Sequence, residues 1–281
     1  MLNIGVRAHD FGKLSVSDLS DRISKYGFNS IQLALKKAID GIDDVNGILS
    51  PGMGNYIRDK FYKNGINISV LGCYINPVHP NMDIRKRHLD SFVEHIRFAS
   101  SFGCSIVGTE TGSTLPNCGF TQDIYKESTF IDFIESLKVL VEAGEKFGVT
   151  VAIEGVADKH TIFSHERMMR VLELIPSPNL GIIYDPVNFL PNDKLDKSDE
   201  LMIEAFQLFS HKMVAIHAKD YVIKNGVKDG TIPSGKGRLN YELLFSLINK
   251  HKPYIHTLLE NNGPDTIEDS FNFIKKLGVR L

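Results

Sequence analysis

A chain of 281 residues with 42% hydrophobic and 23% charged content can build one large core, and barrels of about 250 residues routinely form one domain. Its formal charge of −2 gives no global attraction to nucleic acid or to an anionic membrane, so neither is expected as a partner. No uncharged apolar stretch approaches the roughly 18 residues of a membrane span.

The opening MLNIGVRAHDFG goes almost at once into a strand-like run and lacks the basic-then-apolar design of a secretory signal, so a cytoplasmic location is expected. Eight β-rich runs follow in order: Asn3–Val6, Ser30–Ala34, Asn67–Leu71, Ser105–Gly108, Thr150–Ile153, Leu180–Tyr184, Met213–Ile216 and Tyr254–Leu259. Between them lie segments with apolar residues three and four apart, such as Leu89, Phe92, Val93 and Ile96, or Phe130, Phe133, Ile134, Leu137 and Val141, which predict amphipathic helices. Gly27, Gly65, Gly103 and Gly148 punctuate four helix-to-strand joints, where a left-handed glycine ends a helix. Cys73, Cys104 and Cys118 show no metal-binding or redox spacing, and the first two sit beside apolar strand residues as ordinary buried thiols.

A repeated strand–helix unit with right-handed crossovers can close on itself after eight turns, so the fold predicted is an α/β, (β/α)8 TIM barrel over residues 1–281. A doubly wound open sheet is the alternative. There is no GxGxxG at the first strand–helix turn and no GxxxxGK[ST], so dinucleotide and P-loop sites lack their phosphate cradles. Ser234-Gly235-Lys236-Gly237, after the seventh run, reads either as a phosphate loop or as a flexible cover with a solvated lysine.

Four runs in the second half end on groups that can bind a metal: Glu154, Asp185, His217 and Glu260. On neighbouring parallel strands these ends converge on one face, which predicts a divalent-cation site with positions open to substrate. The rest of the rim is polar as well. Arg7, His9, Tyr74, Asn76, Glu110, His160, Asn188 and Lys219 are candidate substrate-binding residues. Each also has a plainer reading: Arg7 as a structural partner of an acid such as Glu110, Asn188 as a turn cap, Lys219 and His160 as solvated side chains. Tyr74 and Phe189 are read as an apolar wall or as core, and His79, His88, His95, His165, His211, His251 and His256 as surface or packing residues.

The order Glu, Asp, His, Glu, carried by Ile153-Glu154-Gly155, Tyr184-Asp185-Pro186-Val187-Asn188, Ile216-His217-Ala218-Lys219-Asp220, Gly235-Lys236-Gly237 and Leu259-Glu260-Asn261, resembles the xylose-isomerase-like barrels. That family includes ketose epimerases, inosose dehydratases and apurinic-site endonucleases. The resemblance spans nearly the whole chain and implies that the four residues bind one divalent cation and that the two glutamates also move protons. The endonuclease branch resembles a three-zinc version with further histidines, where this chain has Thr231, Asn188 and the Glu110-Thr111-Gly112 stretch. Asn188 also replaces a histidine of the ketose epimerases, and the spacing after His217 looks closer to the inosose dehydratases.

Three carboxylates and one imidazole form a hard donor set that suits Mn2+, with Mg2+ or Co2+ open and Zn2+ disfavoured. A ketone oxygen and the neighbouring hydroxyl could complete such a site. This predicts an isomerase or epimerase acting on a keto sugar or its phosphate through an enediolate, with Glu154 and Glu260 as the acid/base pair. A dehydratase expelling a β-hydroxyl is the alternative reading, and a non-catalytic sugar-binding barrel or a nuclease stands behind it. The sugar, its phosphorylation and a homo-oligomeric state are left open.

Overall fold

The computed structural model describes residues 3–279. Strands β1 (Asn3–Arg7), β2 (Ser30–Leu33), β3 (Asn67–Gly72), β4 (Ile106–Glu110), β5 (Thr150–Glu154), β6 (Leu180–Tyr184), β7 (Met213–Ala218), β8 (Asp220–Lys224), β9 (Val227–Ile232) and β10 (His256–Leu259) carry the β-branched runs. Helices α1 (Val16–Ser24), α2 (Leu35–Ala38), α3 (Pro51–Lys63), α4 (Met82–Phe98), α5 (Glu127–Phe147), α6 (His165–Leu174), α7 (Ser198–Phe209), α8 (Tyr241–His251) and α9 (Ile267–Val279) separate them. Their starts follow the sequence chemistry: Ser15, Ser50, Asn81, Ser164 and Asn240 each accept a first-turn N–H, and Pro51 stands where its missing N–H costs nothing. All four joint glycines have positive φ, between +67° and +76°.

Eight parallel strands close in the order β1-β10-β7-β6-β5-β4-β3-β2, so the predicted TIM barrel is the observed fold. Strands of a barrel present alternate side chains inward and outward. Val70, Ala152, Ile183, Ala215 and Leu258 form a small cluster of their own, distinct from the larger core that includes Phe92, Phe130, Phe206 and Phe245. Gly108 keeps that small cluster from overfilling, since a Cβ there would lie 2.6 Å from Ile183 Cδ1. No helix among the described residues is long and apolar enough to cross a membrane.

Every barrel-strand end falls within two residues of expectation, and the departures explained by backbone conformation are one strand start and one connection. The last barrel strand begins at His256 rather than Tyr254, because Tyr254 has φ +68° and a left-handed residue cannot extend a parallel ladder. The long connection after β7 is not irregular either. It holds the antiparallel hairpin β8–β9, turned by Asn225-Gly226 with both residues at positive φ, the two-residue turn that matches strand twist.

Candidate functional site

Because all eight barrel strands run the same way, their carboxyl ends share one mouth. Glu154 closes β5, Asp185 follows β6, His217 lies near the end of β7 and Glu260 follows β10. One ligand atom of each lies within 4.8 Å of the others, and all four residues are buried. His217 Nδ1 is 3.1 Å from Glu154 Oε1 and 3.2 Å from Glu260 Oε2, yet neither contact has hydrogen-bonding direction, which leaves that nitrogen without a partner. Asp185 Oδ2 is likewise buried and without a hydrogen bond, while Oδ1 is fixed by the N–H groups of Val187 and Asn188 at 2.8 and 2.9 Å.

Buried polar atoms without partners are rare and costly. Two of them among three carboxylates and an imidazole fit the donor set of a divalent cation. The four residues bring their lone pairs together from four strand ends, as parallel topology dictates.

Charge around this centre is unevenly placed. Lys219 Nζ lies 2.9 Å from Glu260 Oε1, 3.2 Å from Asp185 Oδ2 and 2.7 Å from Asn188 Oδ1. Arg7 reaches the same Glu260 oxygen at 2.9 Å and also donates to Asp10 and Asn261. Burial alone would raise the Glu260 carboxyl, but Lys219, Arg7 and His217 hold it well below the usual range. Glu154 has fewer cations near it, and burial pushes it up despite His217. Burial would lower His217, but the two glutamates outweigh it and hold the imidazole up to about 10. His9 is driven down to about 2 by burial, with Arg7 and Lys37 adding to the effect, so it is a neutral imidazole.

The family model described as a xylose isomerase-like TIM barrel matches residues 20–277. The chain belongs to that family. No curated protein matches it in sequence. A D-tagatose 3-epimerase-like protein shares 17% identity, covering 98% of this chain and 96% of the other with a TM-score of 0.77. A xylose isomerase-like TIM barrel protein from Mycobacterium smegmatis, in complex with magnesium, shares 15%, covering 99% and 97%, TM-score 0.76. The IOLI protein with a binding zinc atom shares 16%, covering 99% and 97%, TM-score 0.72. At these identities the likeness is one of fold.

Around the xylose-isomerase-like centre, the remaining candidates separate by position. Asn188 is not the turn's cap, a part taken by Asp185 Oδ1: its Nδ2 donates to Glu154 Oε1 at 2.7 Å while its Oδ1 receives Lys219. Arg7 pairs with Asp10 and Glu260 rather than with Glu110. A cavity of about 600 Å3 at the mouth is lined by Glu110, Asn188, Lys219, Lys228, Glu260 and Asn261, among others. His160 is fully buried with both ring nitrogens unpartnered, Nε2 lying 3.8 Å from Glu110 Oε2. His9 packs edge-on against Tyr74, whose hydroxyl accepts from Gln32.

Some candidates turn away. Asn76 is buried in scaffolding, donating to the Ser113 and Leu115 carbonyls and accepting from Val78 N–H, so its amide is occupied within the loops. Phe189 packs on Tyr184, His165 and Phe209, and so belongs to the core rather than to a wall shared with Tyr74. The phosphate-loop reading of Gly235-Lys236-Gly237 is overturned. The Gly235 and Gly237 N–H groups already donate to the buried Asp220 carboxylate, with those of Tyr221 and Leu239, and Lys236 pairs with Asp269.

The sequence reading gave no role to Gln32 or to Lys228. Gln32 Oε1 lies 2.6 Å from His217 Nε2. Its place at the end of the second strand was the available signal. Lys228 donates to the carbonyls of Val187, at 2.5 Å, and Leu190, pinning the hairpin over the β6 loop. The Lys224-Asn225-Gly226 turn was the signal for that hairpin.

Proposed function

We propose that this protein is a cytoplasmic, metal-dependent isomerase or epimerase acting on a keto sugar or sugar phosphate by proton transfer. The observation that carries the reading is the convergence of Glu154, Asp185, His217 and Glu260, in which the buried His217 Nδ1 and Asp185 Oδ2 make no hydrogen bond. These four residues would hold one divalent cation, Mn2+ by the hardness of the donors; magnesium and zinc are named with two proteins of the same fold. When bound, the cation supplies positive charge that stabilises an oxyanion developing on a substrate carbonyl. The printed names of similar structures, such as D-tagatose 3-epimerase-like protein, support the sugar class. Three free cysteines agree with a reducing compartment.

Glu154 and Glu260 form the acid/base pair, one taking a proton from the substrate carbon and the other returning one. Arg7 and Lys219 both reach Glu260 Oε1, which leaves Oε2 of that carboxylate on the side of the centre. The two glutamates come from β5 and from the end of β10, so they reach the substrate from different sides. Lys219 and Asn188 orient substrate oxygens at the centre, and Arg7 and His9 bound the site at the β1 end. Tyr74 and Glu110 meet its hydroxyl groups, and His160 backs Glu110 from the buried side.

The test is incubation of a ketose and ketose-phosphate panel with the Mn2+-loaded protein in heavy water. The expected product is a sugar isomer carrying one deuterium at the reacting carbon. An ultraviolet-absorbing dione or enone would make it a dehydratase instead, and no exchange with any member of the panel would refute the proposal.

A further inference from the structure

Gln32 is 1% exposed at the end region of β2, three strands around the barrel from β7. Its amide stands between two groups of the site: Oε1 lies 2.6 Å from His217 Nε2, and Nε2 donates to the Tyr74 hydroxyl at 2.8 Å. The polarity of this chain is set from the far side of the imidazole ring. Nδ1 of His217 faces Glu154 and Glu260 and is the nitrogen left for a cation, so a ring that binds the cation through Nδ1 carries its one hydrogen on Nε2. That hydrogen needs an acceptor, and the amide oxygen is the one in reach. The amide nitrogen then has to face Tyr74, where the phenol oxygen accepts. The phenol's own proton finds no acceptor among the described residues. Gly72 leaves the room for this arrangement, because a Cβ there would stand 3.3 Å from Gln32 Nε2 and 3.2 Å from the Ala34 Cβ.

We propose that Gln32 is a positioning residue that selects the His217 tautomer with a free Nδ1 lone pair for the cation and, through the same amide, leaves the Tyr74 hydroxyl proton for a substrate oxygen. The inference rests on the metal-site reading above and adds to it a residue that touches neither cation nor substrate. Groups that orient a metal-bound histidine through its other nitrogen control affinity by about 10–100-fold when removed.

The decisive measurement is calorimetric titration of Mn2+ into the chelator-treated full-length protein. Gln32→Met keeps the volume and removes both polar atoms; it is expected to weaken Mn2+ binding about 10–100-fold. Gln32→Glu supplies an oxygen that accepts the same hydrogen and is expected to stay within about threefold of the parent, as is Tyr74→Phe. A Met variant that binds like the parent overturns the proposal. So does a Glu variant as weak as the Met variant, since shape rather than the acceptor would then decide. If the Met variant does not fold, Gln32→Leu, which also lacks an acceptor, takes its place in the same comparison.

A second measurement needs neither cation nor substrate. A downfield, slowly exchanging Nε2–H resonance, assigned to His217 by its disappearance in His217→Asn and told from Nδ1–H by its 15N correlation, is expected in the parent, Gln32→Glu and Tyr74→Phe chains and lost in Gln32→Met. Its persistence in Gln32→Met overturns the positioning role even where Mn2+ fails to bind and the proposed reaction is absent. The Tyr74 half is read by deuterium exchange. A carboxylate at position 32 takes the phenol proton for itself, so Gln32→Glu and Tyr74→Phe should lose turnover by the same factor; full turnover in Gln32→Glu overturns that half.

Discussion

Lys219 and Arg7 reach the same oxygen of Glu260, each at 2.9 Å, one from the end of β7 and one from β1. Two cations on one carboxylate oxygen leave the other, Oε2, turned toward His217 Nδ1. Lys219 is also 3.2 Å from Asp185 Oδ2, so its charge repels any cation held there. Lys219→Met should therefore bind Mn2+ at least as tightly as the parent chain while turnover falls about 100-fold, since a positioned donor is lost. Calorimetry beside deuterium exchange checks both; a large drop in Mn2+ affinity would show that Lys219 supports the metal rather than opposing it.

Glu154→Gln and Glu260→Gln remove an acid or base without removing volume. Each should reduce turnover by about 10²–10⁴-fold. Metal content, measured on the same samples, separates loss of proton transfer from loss of the cation. A Gln variant that keeps its metal and full activity removes that glutamate from the mechanism.

Asp220 is 1% exposed, and its carboxylate gathers four backbone N–H groups, from Tyr221, Gly235, Gly237 and Leu239. Asp220→Ala leaves these donors facing an apolar void, a loss of about 3 kcal/mol or more in unfolding free energy. Urea titration gives the number. Gly237→Ala should act in the same direction, because its Cβ would come within 2.4 Å of Asp220 Oδ1.

His9, His95 and His160 are all pushed down by burial, His9 to about 2. A base whose folded pKa is depressed stays neutral while the unfolded chain takes up a proton, so its contribution to stability is complete above about pH 6.5 and is lost as the pH falls below that. Each can cost up to about 1.4 kcal/mol per pH unit. Unfolding free energy should drop between pH 7 and pH 5, and His160→Phe should flatten the slope; an identical slope in that variant would assign the acid sensitivity elsewhere.

The barrel and the convergence of Glu154, Asp185, His217 and Glu260 were readable from one pattern, apolar β-rich runs that end on these residues, because strand burial and strand ends leave a local imprint. The same pattern misplaced the start of the last strand, since nothing in Tyr254 itself announces a left-handed backbone. The Gly235-Lys236-Gly237 stretch could not be resolved from its glycines alone. Its amides are taken by Asp220, whose side chain reaches them only once β8 has folded back beside the loop.

What the sequence determined by itself is the alternation of strands and helices and the identity of the donor groups, because both depend on periodicity and on side-chain type. Tertiary structure decided which groups touch. Gln32 meets His217 across 185 positions and Arg7 meets Glu260 from the other end of the chain. Those contacts exist because barrel closure sets β1 against β10, a pairing that no local segment encodes. Hydrogen-bond polarity and pKa shifts depend on distances of a few ångströms, and only the closed barrel fixes these.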